Sequence, residues 1–340
     1  GDLTNMETGY IFKEFFDRTL DIQNYESRSD NRFTDTSKRE NYLFNSTING
    51  IEDADFIFLI GTNPRFEATI LNARIRKSYL NNNTQIVSLN DLGDLTYPYE
   101  SLDGQTQTLK DIFDGNHNIS KQIIGAKKPM IVLGESLLNI NSSKYFFNKI
   151  KEFLIKNEKV SKEWNPLNVL SCDAATVGNY DLGLVNEDKN LLKDLQNHNF
   201  DIVYLLGQDN LNFDKKDEFI IYQGSHGDKG AEIADIILPG SAYTEQDGYF
   251  TNLEGKIQKA YKASYPPGDA KEDWQIINEL AEVMNNRKLF NDKDELESSM
   301  LNYLNLENEK QINKDEENIK FDDNEFKSET LNIVIKDYYF

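Results

Sequence analysis

The sequence predicts an α/β fold with two Rossmann-like parallel-sheet subdomains and an acidic, partly irregular carboxyl-terminal tail. Short Ile-rich runs, among them residues 218–223 and 234–238, are apolar along most of their length, which is typical of strands buried on both faces of a parallel sheet. Such runs alternate with segments of helical spacing in both halves of the chain. A strand, a helix and a second strand in that order favour a parallel pair joined by a right-handed crossover.

The first subdomain is predicted over residues 1–160. Its clearest unit is a strand at residues 55–60, a turn at Gly61-Thr62-Asn63, and Pro64 at the first position of a helix, where proline is favoured. The apolar face of this helix is expected to pack on the sheet through Phe66, Ile70, Ala73 and Leu80. Further elements are expected as helices at residues 6–20, 40–48, 109–113, 119–124 and 141–155, and as strands at residues 85–89 and 130–133.

The second subdomain is predicted over residues 161–284. Its expected elements are strands at residues 167–170, 201–206, 219–222 and 235–238, and helices at residues 191–196 and 271–284. Two turn pairs, Asp247-Gly248 and Glu254-Gly255, are expected to provide positive φ angles on either side of an irregular excursion.

The tail is predicted over residues 285–340. Residues 285–330 are acidic and rich in Asn with few large apolar side chains, so we expect them to be partly loose or bound along a neighbour. Residues 331–335 recover an alternating pattern that predicts a terminal strand.

Charge and hydropathy exclude several classes of function. The 340 residues carry a formal net charge of -21, which argues against nucleic acid or an anionic membrane surface as a partner, because both attract clustered Lys and Arg. The mean hydropathy is -0.64, and no apolar run approaches the ~20 residues of a membrane-spanning helix. The sequence therefore predicts no direct membrane span and favours protein partners.

Metal-ligating residues are scarce. One cysteine, Cys172, and three histidines, His117, His198 and His226, cannot build a four-thiolate zinc or iron–sulfur site. A lone cysteine also excludes an intrachain disulfide, as is usual in a reducing compartment. The sequence starts with Gly1 and shows no secretory leader, so we expect a processed, trimmed or partial chain.

Several long motifs resemble a known family. They are DADFIFLIGTNPRFEATILNARIRKSYL at residues 53–80, GSHGDKGAEIADIILPGSAYTEQDGYFTNLEGKIQ at residues 224–258 and PPGDAKEDWQIINELAE at residues 266–282, with RENYLFNSTINGIEDAD at residues 39–55 and IKDYY at residues 335–339. These motifs are similar to the large peripheral-arm subunit of respiratory complex I, the 75-kDa subunit of NADH:ubiquinone oxidoreductase. The resemblance covers most of the chain in order and is weakest over residues 136–200 and 285–330.

The resemblance carries expectations about the cofactors. The second half of that family resembles the molybdopterin-dependent oxidoreductases, in which two Rossmann-like domains cradle pterin groups, and in complex I this half has lost the cofactor. The family's iron–sulfur clusters belong to a Cys-rich amino-terminal portion that this sequence lacks. The resemblance thus implies no cofactor, no metal and no catalytic residue on this chain, with iron–sulfur clusters and flavin mononucleotide on partner chains.

The resemblance also carries expectations about partners and place. It implies a non-catalytic structural part of the complex I peripheral arm, at the matrix side of the mitochondrial inner membrane. Its partners would be other peripheral-arm subunits, above all a Cys-rich iron–sulfur chain that supplies the preceding half. Two alternatives stay open: a fragment of an active molybdopterin oxidoreductase, with a groove lined by residues 61–64, 207–210 and 224–230, or a module that binds a nucleotide or ion in the same cleft.

One loop is the candidate ligand site, if any ligand binds. Gly61, Thr62, Asn63 and Pro64 follow a strand and open a helix, where backbone N–H groups and the helix dipole can hold a phosphate. The competing interpretation is a simple helix cap formed by Thr62 or Asn63 with Glu67.

Other residues with chemical potential have simpler explanations. Cys172 is most often a small buried apolar residue in such a setting, and His226 lacks a carboxylate or nucleophile at a fixed spacing. A basic cluster, Arg74, Arg76 and Lys77, is either solvated or in contact with an acidic patch on a neighbouring subunit.

Overall fold

The computed structural model describes residues 1–186, 189–209, 211, 213–227, 229–312 and 322–335. The chain divides into two compact units, each built from two stretches of sequence. Gly1–Asn31 and Asp173–Lys314 form the first, which we call the three-stranded unit. Arg32–Cys172 and Asp315–Phe340 form the second, which we call the five-stranded unit.

The strands, numbered along the chain, are β1 Phe56–Ile60, β2 Gln85–Ser88, β3 Glu100–Ser101, β4 Pro129–Gly134, β5 Leu167–Leu170, β6 Ile202–Leu206, β7 Phe219–Gly224, β8 Ile236–Pro239, β9 Gly248–Thr251 and β10 Ile257–Ala260. The α-helices are α1 Met6–Phe15, α2 Pro64–Glu67, α3 Thr69–Asn82, α4 Thr106–Phe113, α5 Asn118–Gly125, α6 Glu135–Leu138, α7 Ser143–Lys156, α8 Thr176–Asp181, α9 Leu191–Gln196, α10 Lys229–Ile233, α11 Asp273–Asn285 and α12 Lys293–Ile312. Shorter helical turns occupy Phe16–Leu20, Arg39–Asn41, Asn49–Glu52 and Asp323–Glu325.

The five-stranded unit contains a parallel sheet in the order β3-β2-β1-β4-β5. Every residue of β1 and β4 is buried, as their continuous apolar sequences predict. One face of the sheet meets α4, α5 and α7 in a core rich in aromatic side chains, among them Phe58, Phe113 and Phe153. The predicted α/β fold with parallel sheets is confirmed.

The inward face predicted for the helix after Pro64 is wrong. Phe66, Ile70 and Leu80 are 57%, 70% and 62% exposed, and the buried positions of α3 are Leu71, Asn72, Ile75 and Ser78. Ala68, with φ -152° and ψ 66°, interrupts the helix between α2 and α3, so the apolar spacing that begins at Phe66 does not continue into α3.

The three-stranded unit contains the parallel sheet β6-β7-β8 and a separate antiparallel hairpin of β9 and β10. Helix α1 lies against α11, α12 and β9, and its Met6, Tyr10, Ile11 and Phe15 enter a core shared with those helices. The hairpin replaces the expected irregular excursion. Gly255 has the expected positive φ of 80°, whereas Gly248 is a strand residue whose missing Cβ makes room for Asn5.

The division of the chain differs from the expected boundaries at residues 160 and 284. Strand β5 falls in the predicted second subdomain, but it pairs with β4 at the edge of the five-stranded sheet. Helix α1 falls in the predicted first subdomain, but it packs with α11 in the three-stranded unit. The expected helix at residues 40–48 is wrong, since only Arg39–Asn41 form a short turn there.

The tail is more ordered than its composition predicts. Helix α12 runs through the acidic stretch and buries Leu296, Met300 and Leu304, which recur every four residues. The expected terminal strand is wrong, because residues 331–335 form no strand and the isolated bridge to Gln105 comes from Thr330, the residue before them. Residues 336–340 lie outside the described part of the chain.

Candidate functional site

The order of the five-stranded sheet marks one edge as the place where a ligand would bind. Strand β1 leads to β2 on one side and β4 leads to β5 on the other, so the chain changes direction between β1 and β4. In open parallel sheets, ligands bind at the carboxyl ends of the strands at this point. Here the loop Gly61–Pro64 follows β1, and α6 follows β4 directly at Glu135.

The backbones after β1 and β4 touch each other. Gly61 has a φ of 68°, and a Cβ atom on it would lie 2.5 Å from the backbone nitrogen of Leu137. A Cβ atom on Gly134 would lie 2.2 Å from the carbonyl oxygen of Gly61. Glycine at both positions therefore lets the two loops approach each other closely.

The loop donors at this edge are already bonded to a carboxylate of the same chain. Glu67 accepts a hydrogen bond from Thr62 Oγ1 at 2.6 Å and from the backbone nitrogen of Asn63 at 2.5 Å. Asn63 Oδ1 accepts from the backbone nitrogen of Arg65 at 3.2 Å, and Asn63 Nδ2 donates to the carbonyl of Leu92 at 3.1 Å. The carboxylate of Glu67 thus stands where a bound phosphate would accept hydrogen bonds.

A buried ion pair fills the same edge. Arg32 and Glu135 form a salt bridge with side chains only 5% and 7% exposed. Glu135 also accepts from the backbone nitrogen of Cys172 at 3.1 Å, and Cys172 Sγ lies 3.9 Å from Glu67 Oε1. Burial raises the pKa of Glu67, which the nearby charge of Glu135 raises further and the hydrogen bond from Thr62 opposes.

These residues do not fit a phosphate-bearing pterin at this edge. Two carboxylates face the place where the ligand's negative charge would lie, and Arg32 is paired with one of them. Displacing that pair would break a buried ion pair, which is costly. The arrangement is that of a closed, internally bonded sheet edge.

Comparison with protein families decides the assignment. The family model described as "Molybdopterin oxidoreductase" matches residues 1–283. The chain belongs to the molybdopterin oxidoreductase family. Among solved structures, acetylene hydratase from Pelobacter acetylenicus is 10% identical with a TM-score of 0.37, covering 83% of this chain and 58% of that one, a likeness too low to carry an argument.

Curated relatives confirm the resemblance to the complex I subunit. The chain is 36% identical to the NADH-ubiquinone oxidoreductase 75 kDa subunit of Reclinomonas americana, over 84% of this chain and 44% of that protein. It is 43% identical to the mitochondrial 78 kDa subunit of Candida albicans, over 75% and 35%, and 38% identical to the mitochondrial 78 kDa subunit of Neurospora crassa, over 77% and 35%. The chain therefore spans less than half the length of the curated relatives it matches.

The histidines and the basic cluster noted in the sequence do not contribute to the β1–β4 edge of this molybdopterin oxidoreductase family member. His117 caps α5, and His198 Nδ1 lies 2.5 Å from Glu218 Oε1. The exposed ring of His226 meets Ser225 Oγ at 2.9 Å. Glu52 pairs with Arg74 at 2.7 Å and with Lys77 at 2.6 Å, and these contacts, the Lys77 hydrogen bond foremost, lower the pKa of Glu52.

Within the described residues, no three His, Cys, Asp or Glu side chains come together as a group that could hold a metal ion. Over the same residues, none of the helices has the length and apolarity to cross a bilayer. Residues 207–210 and 224–230 belong to the three-stranded unit, and Asn210 and Asp228 fall outside the described residues.

Sequence reasoning missed the residues that close the edge. Arg32 lies in a polar stretch expected to be a loop, and Glu135 comes directly after the glycine that ends β4. A carboxylate at that position was a usable signal, because the residue after a central parallel strand lies at the ligand-binding edge. Its pairing with Arg32, more than a hundred residues away in sequence, has no local signature.

A second buried polar network, in the three-stranded unit, was also missed. Tyr204 donates to Gln223 Oε1 at 2.5 Å, Gln223 Nε2 donates to Asp273 Oδ1 at 2.9 Å, and Gln246 Nε2 donates to Asp273 Oδ2 at 3.0 Å. Burial raises the pKa of Asp273, and the two amide hydrogen bonds oppose that change. The members bond to one another and tie β6, β7 and α11 together.

Proposed function

We propose that this chain is the molybdopterin-oxidoreductase-like part of the 75-kDa subunit of respiratory complex I and that it acts as a scaffold without a cofactor. The observation that carries the scaffold role is the occupation of the β1–β4 edge by Glu67, Glu135 and Arg32. A subunit whose ligand edge is closed by its own ion pair contributes packing surface and rigidity. Its similarity to the 75 kDa and 78 kDa subunits of NADH-ubiquinone oxidoreductase supports the assignment to complex I.

The surface of the five-stranded unit suits a bracing role. Phe66, Ile70 and Leu80 are exposed large apolar side chains on α2 and α3, and we call them the apolar stripe. Arg76 is exposed on the same helix, in a chain whose net charge is -21. Exposed apolar and basic side chains on these helices of an acidic protein suit a partner surface with apolar and acidic side chains.

The same relatives support other complex I subunits as partners, and the finer placement is part of the proposal. The chain would lie in the peripheral arm, on the matrix side of the mitochondrial inner membrane, against an iron–sulfur chain or segment that carries the amino-terminal half. Clusters and flavin mononucleotide would be held there. The contribution of this chain would be to keep cluster spacing fixed and to exclude water.

The test is recovery of the assembly. A tagged chain is purified from gently solubilised mitochondrial membranes, and every copurifying polypeptide is identified by mass spectrometry. We expect one large assembly with flavin, iron and a Cys-rich partner. Recovery of the chain alone, as a soluble protein, would contradict the proposal, provided that a tagged known peripheral-arm subunit recovers the assembly under the same conditions.

A further inference from the structure

The last described stretch of the five-stranded unit lies against that unit in an irregular conformation. Residues 326–334, which we call the tail segment, contain no helix and no strand apart from the isolated bridge between Thr330 and Gln105. Their contacts are with α4, α6, α7 and the loops after β2 and β3, which all come far earlier in the sequence. The position of the tail segment therefore depends on tertiary contacts and not on secondary structure of its own.

The tail segment caps helix α4. Gln105, at the N-cap position of α4, makes no side-chain hydrogen bond to the helix. The backbone nitrogen of Thr106, the first helical residue, donates instead to the carbonyl of Glu329 at 3.0 Å. Thr106 Oγ1 accepts from the backbone nitrogen of Glu329 at 2.8 Å. A peptide carbonyl thus occupies a position at a helix N-terminus that also suits an anion.

The tail segment then crosses the carboxyl edge of the sheet. The backbone nitrogen of Leu331 donates to the carbonyl of Gly104, after β3, at 2.8 Å, and its carbonyl accepts from Asn90 Nδ2, after β2, at 2.6 Å. The backbone nitrogen of Val334 donates to Ser136 Oγ, after β4, at 2.9 Å. Strand β1 lies between β2 and β4 in the sheet, so the chain between these contacts passes the end of β1. Three extended residues span about 10 Å, which matches two strand spacings.

Two apolar side chains anchor the tail segment. Leu331 is fully buried in the core of the five-stranded unit. The ring of Phe326 packs on Tyr145 and Phe146 of α7, with centroid distances of 5.7 Å and 6.0 Å. Val334, in contrast, is 70% exposed. Anchored side chains joined by a backbone that bonds to its surroundings are typical of the binding of extended peptides.

The contact leaves two acceptors unsatisfied. Asn90 Oδ1 and Glu329 Oε1 are buried without a hydrogen-bond partner within the described residues. Each buried acceptor of this kind costs free energy and opposes the gain from burying Leu331 and Phe326. This balance favours a contact that can open and form again over a permanent part of the core.

We propose that the carboxyl edge of the five-stranded sheet is a binding site for an extended peptide and that the tail segment is its ligand in this chain. The peptide carbonyl at α4 and the crossing at the end of β1 lie where a phosphate-bearing nucleotide would contact an open parallel sheet. The tail segment closes the edge to such a ligand, in addition to Glu67, Glu135 and Arg32. The inference goes beyond the proposed function, because it concerns this unit alone and does not depend on the assignment to complex I.

The first test separates the tail segment from the rest of the chain without removing it. A protease site is introduced within residues 313–321 of the 340-residue chain, and the purified protein is cleaved there. A fluorescent peptide with the sequence of residues 322–335 is then added, and its binding is followed by fluorescence anisotropy. We expect saturable binding as the labelled peptide replaces the cleaved tail. Absence of saturable binding would overturn the proposal, because the tail segment would then be a fixed part of the fold.

A second test changes the peptide and leaves the protein as it is. The substitution Leu331→Asp should weaken binding at least about a hundredfold, because it places a charge in an apolar core. The substitution Phe326→Ser should weaken binding about tenfold through the loss of ring packing. The matched control is Val334→Asp, which should change the affinity less than about twofold because this side chain is exposed. Equal affinities of the Leu331→Asp and Val334→Asp peptides would contradict the proposed contact.

A third test distinguishes a peptide from a nucleotide as the ligand of this edge. An excess of adenosine diphosphate is added to the cleaved chain with its labelled peptide, beside unlabelled peptide of residues 322–335 as the positive control. We expect the unlabelled peptide to displace the labelled one and adenosine diphosphate to leave the anisotropy unchanged. Displacement by adenosine diphosphate would overturn the assignment, since the edge would then bind a nucleotide.

Discussion

At the scale of single residues, each unit contains buried carboxyl groups. Glu67 and Glu135 close the sheet edge of one, and Glu7 is fully buried in the other. Glu7 Oε2 accepts from the backbone nitrogen of Tyr249 at 2.8 Å, whereas its Oε1 is buried without a partner within the described residues. Burial raises the pKa of Glu7 to about 7, and the hydrogen bond from Tyr249 limits the change.

The substitution Glu7→Gln should remove a pH dependence of stability. A carboxyl whose pKa is about 7 in the folded protein and 4.5 in the unfolded chain destabilises the fold increasingly as the pH rises from 4.5 to 7. The Glu7→Gln chain should match the parent near pH 4.5 and exceed its free energy of unfolding by up to about 3 kcal/mol at pH 8. Urea unfolding measured from pH 4.5 to pH 8 tests this difference in the free energy of unfolding, with Glu14→Gln on the same helix as the control. Equal pH profiles for parent and Glu7→Gln would contradict the account.

The Arg32–Glu135 pair should be costly to break and cheap to replace. Glu135→Ala removes the carboxylate of this buried ion pair, and we expect a loss of about 3 kcal/mol in the free energy of unfolding. The double change Arg32→Met with Glu135→Leu should lose less than either Glu135→Ala or Arg32→Ala alone. Chemical denaturation measures all four chains, and additive losses in the double variant would argue against a coupled pair.

At the scale of elements, continuous apolar strands were predictable and helix faces were not. Strands β1 and β4 follow from their sequence, because burial on both faces leaves no polar position. The prediction of the buried face of α3 was wrong because that face includes polar residues. Asn72 accepts from Tyr97 at 2.6 Å, and Ser78 meets Thr84 at 2.6 Å, so hydrogen bonds replace apolar packing there. Counting apolar residues cannot detect such a face.

Helix α12 was missed for a different reason. Three apolar side chains, Leu296, Met300 and Leu304, are enough to anchor it against α1, while the rest of the segment reads as solvated. Glu297 in the acidic run pairs with Lys259 of β10 at 2.8 Å. The contacts that order the segment come from residues distant in the sequence, so its own composition gives little indication of a helix.

The apolar stripe should matter for assembly and not for folding. Ile70→Ser with Leu80→Ser changes side chains that are mostly exposed, so the free energy of unfolding should move by less than about 0.5 kcal/mol. If a partner buries them, recovery of the assembly should fall by about tenfold or more. Quantitative copurification measures this, with Val160→Ser, at 41% exposure, as the control. Full recovery of the double variant would exclude the stripe from the interface.

At the scale of the whole molecule, the sequence predicted two parallel-sheet units but not how the chain is shared between them. The three-stranded unit takes Gly1–Asn31 from one end and Asp173–Lys314 from the other, because α1 buries its aromatic face with α11 and α12. This division of each unit between two stretches of sequence depends on long-range packing, and the composition does not change at residue 31 or 172. The closed edge between β1 and β4 is likewise a long-range property, since Arg32 and Glu135 meet only in the fold.

Elemental analysis of the assembly tests the central claim most directly. The assembly is purified through the tagged chain and analysed by mass spectrometry for molybdenum, tungsten and iron, beside a molybdenum enzyme from the same host. Because Glu67, Glu135 and Arg32 occupy the edge where a pterin would lie, we predict iron from partner chains and no molybdenum or tungsten above the buffer blank. Molybdenum or tungsten in a stoichiometric amount, bound to this chain, would contradict the scaffold account.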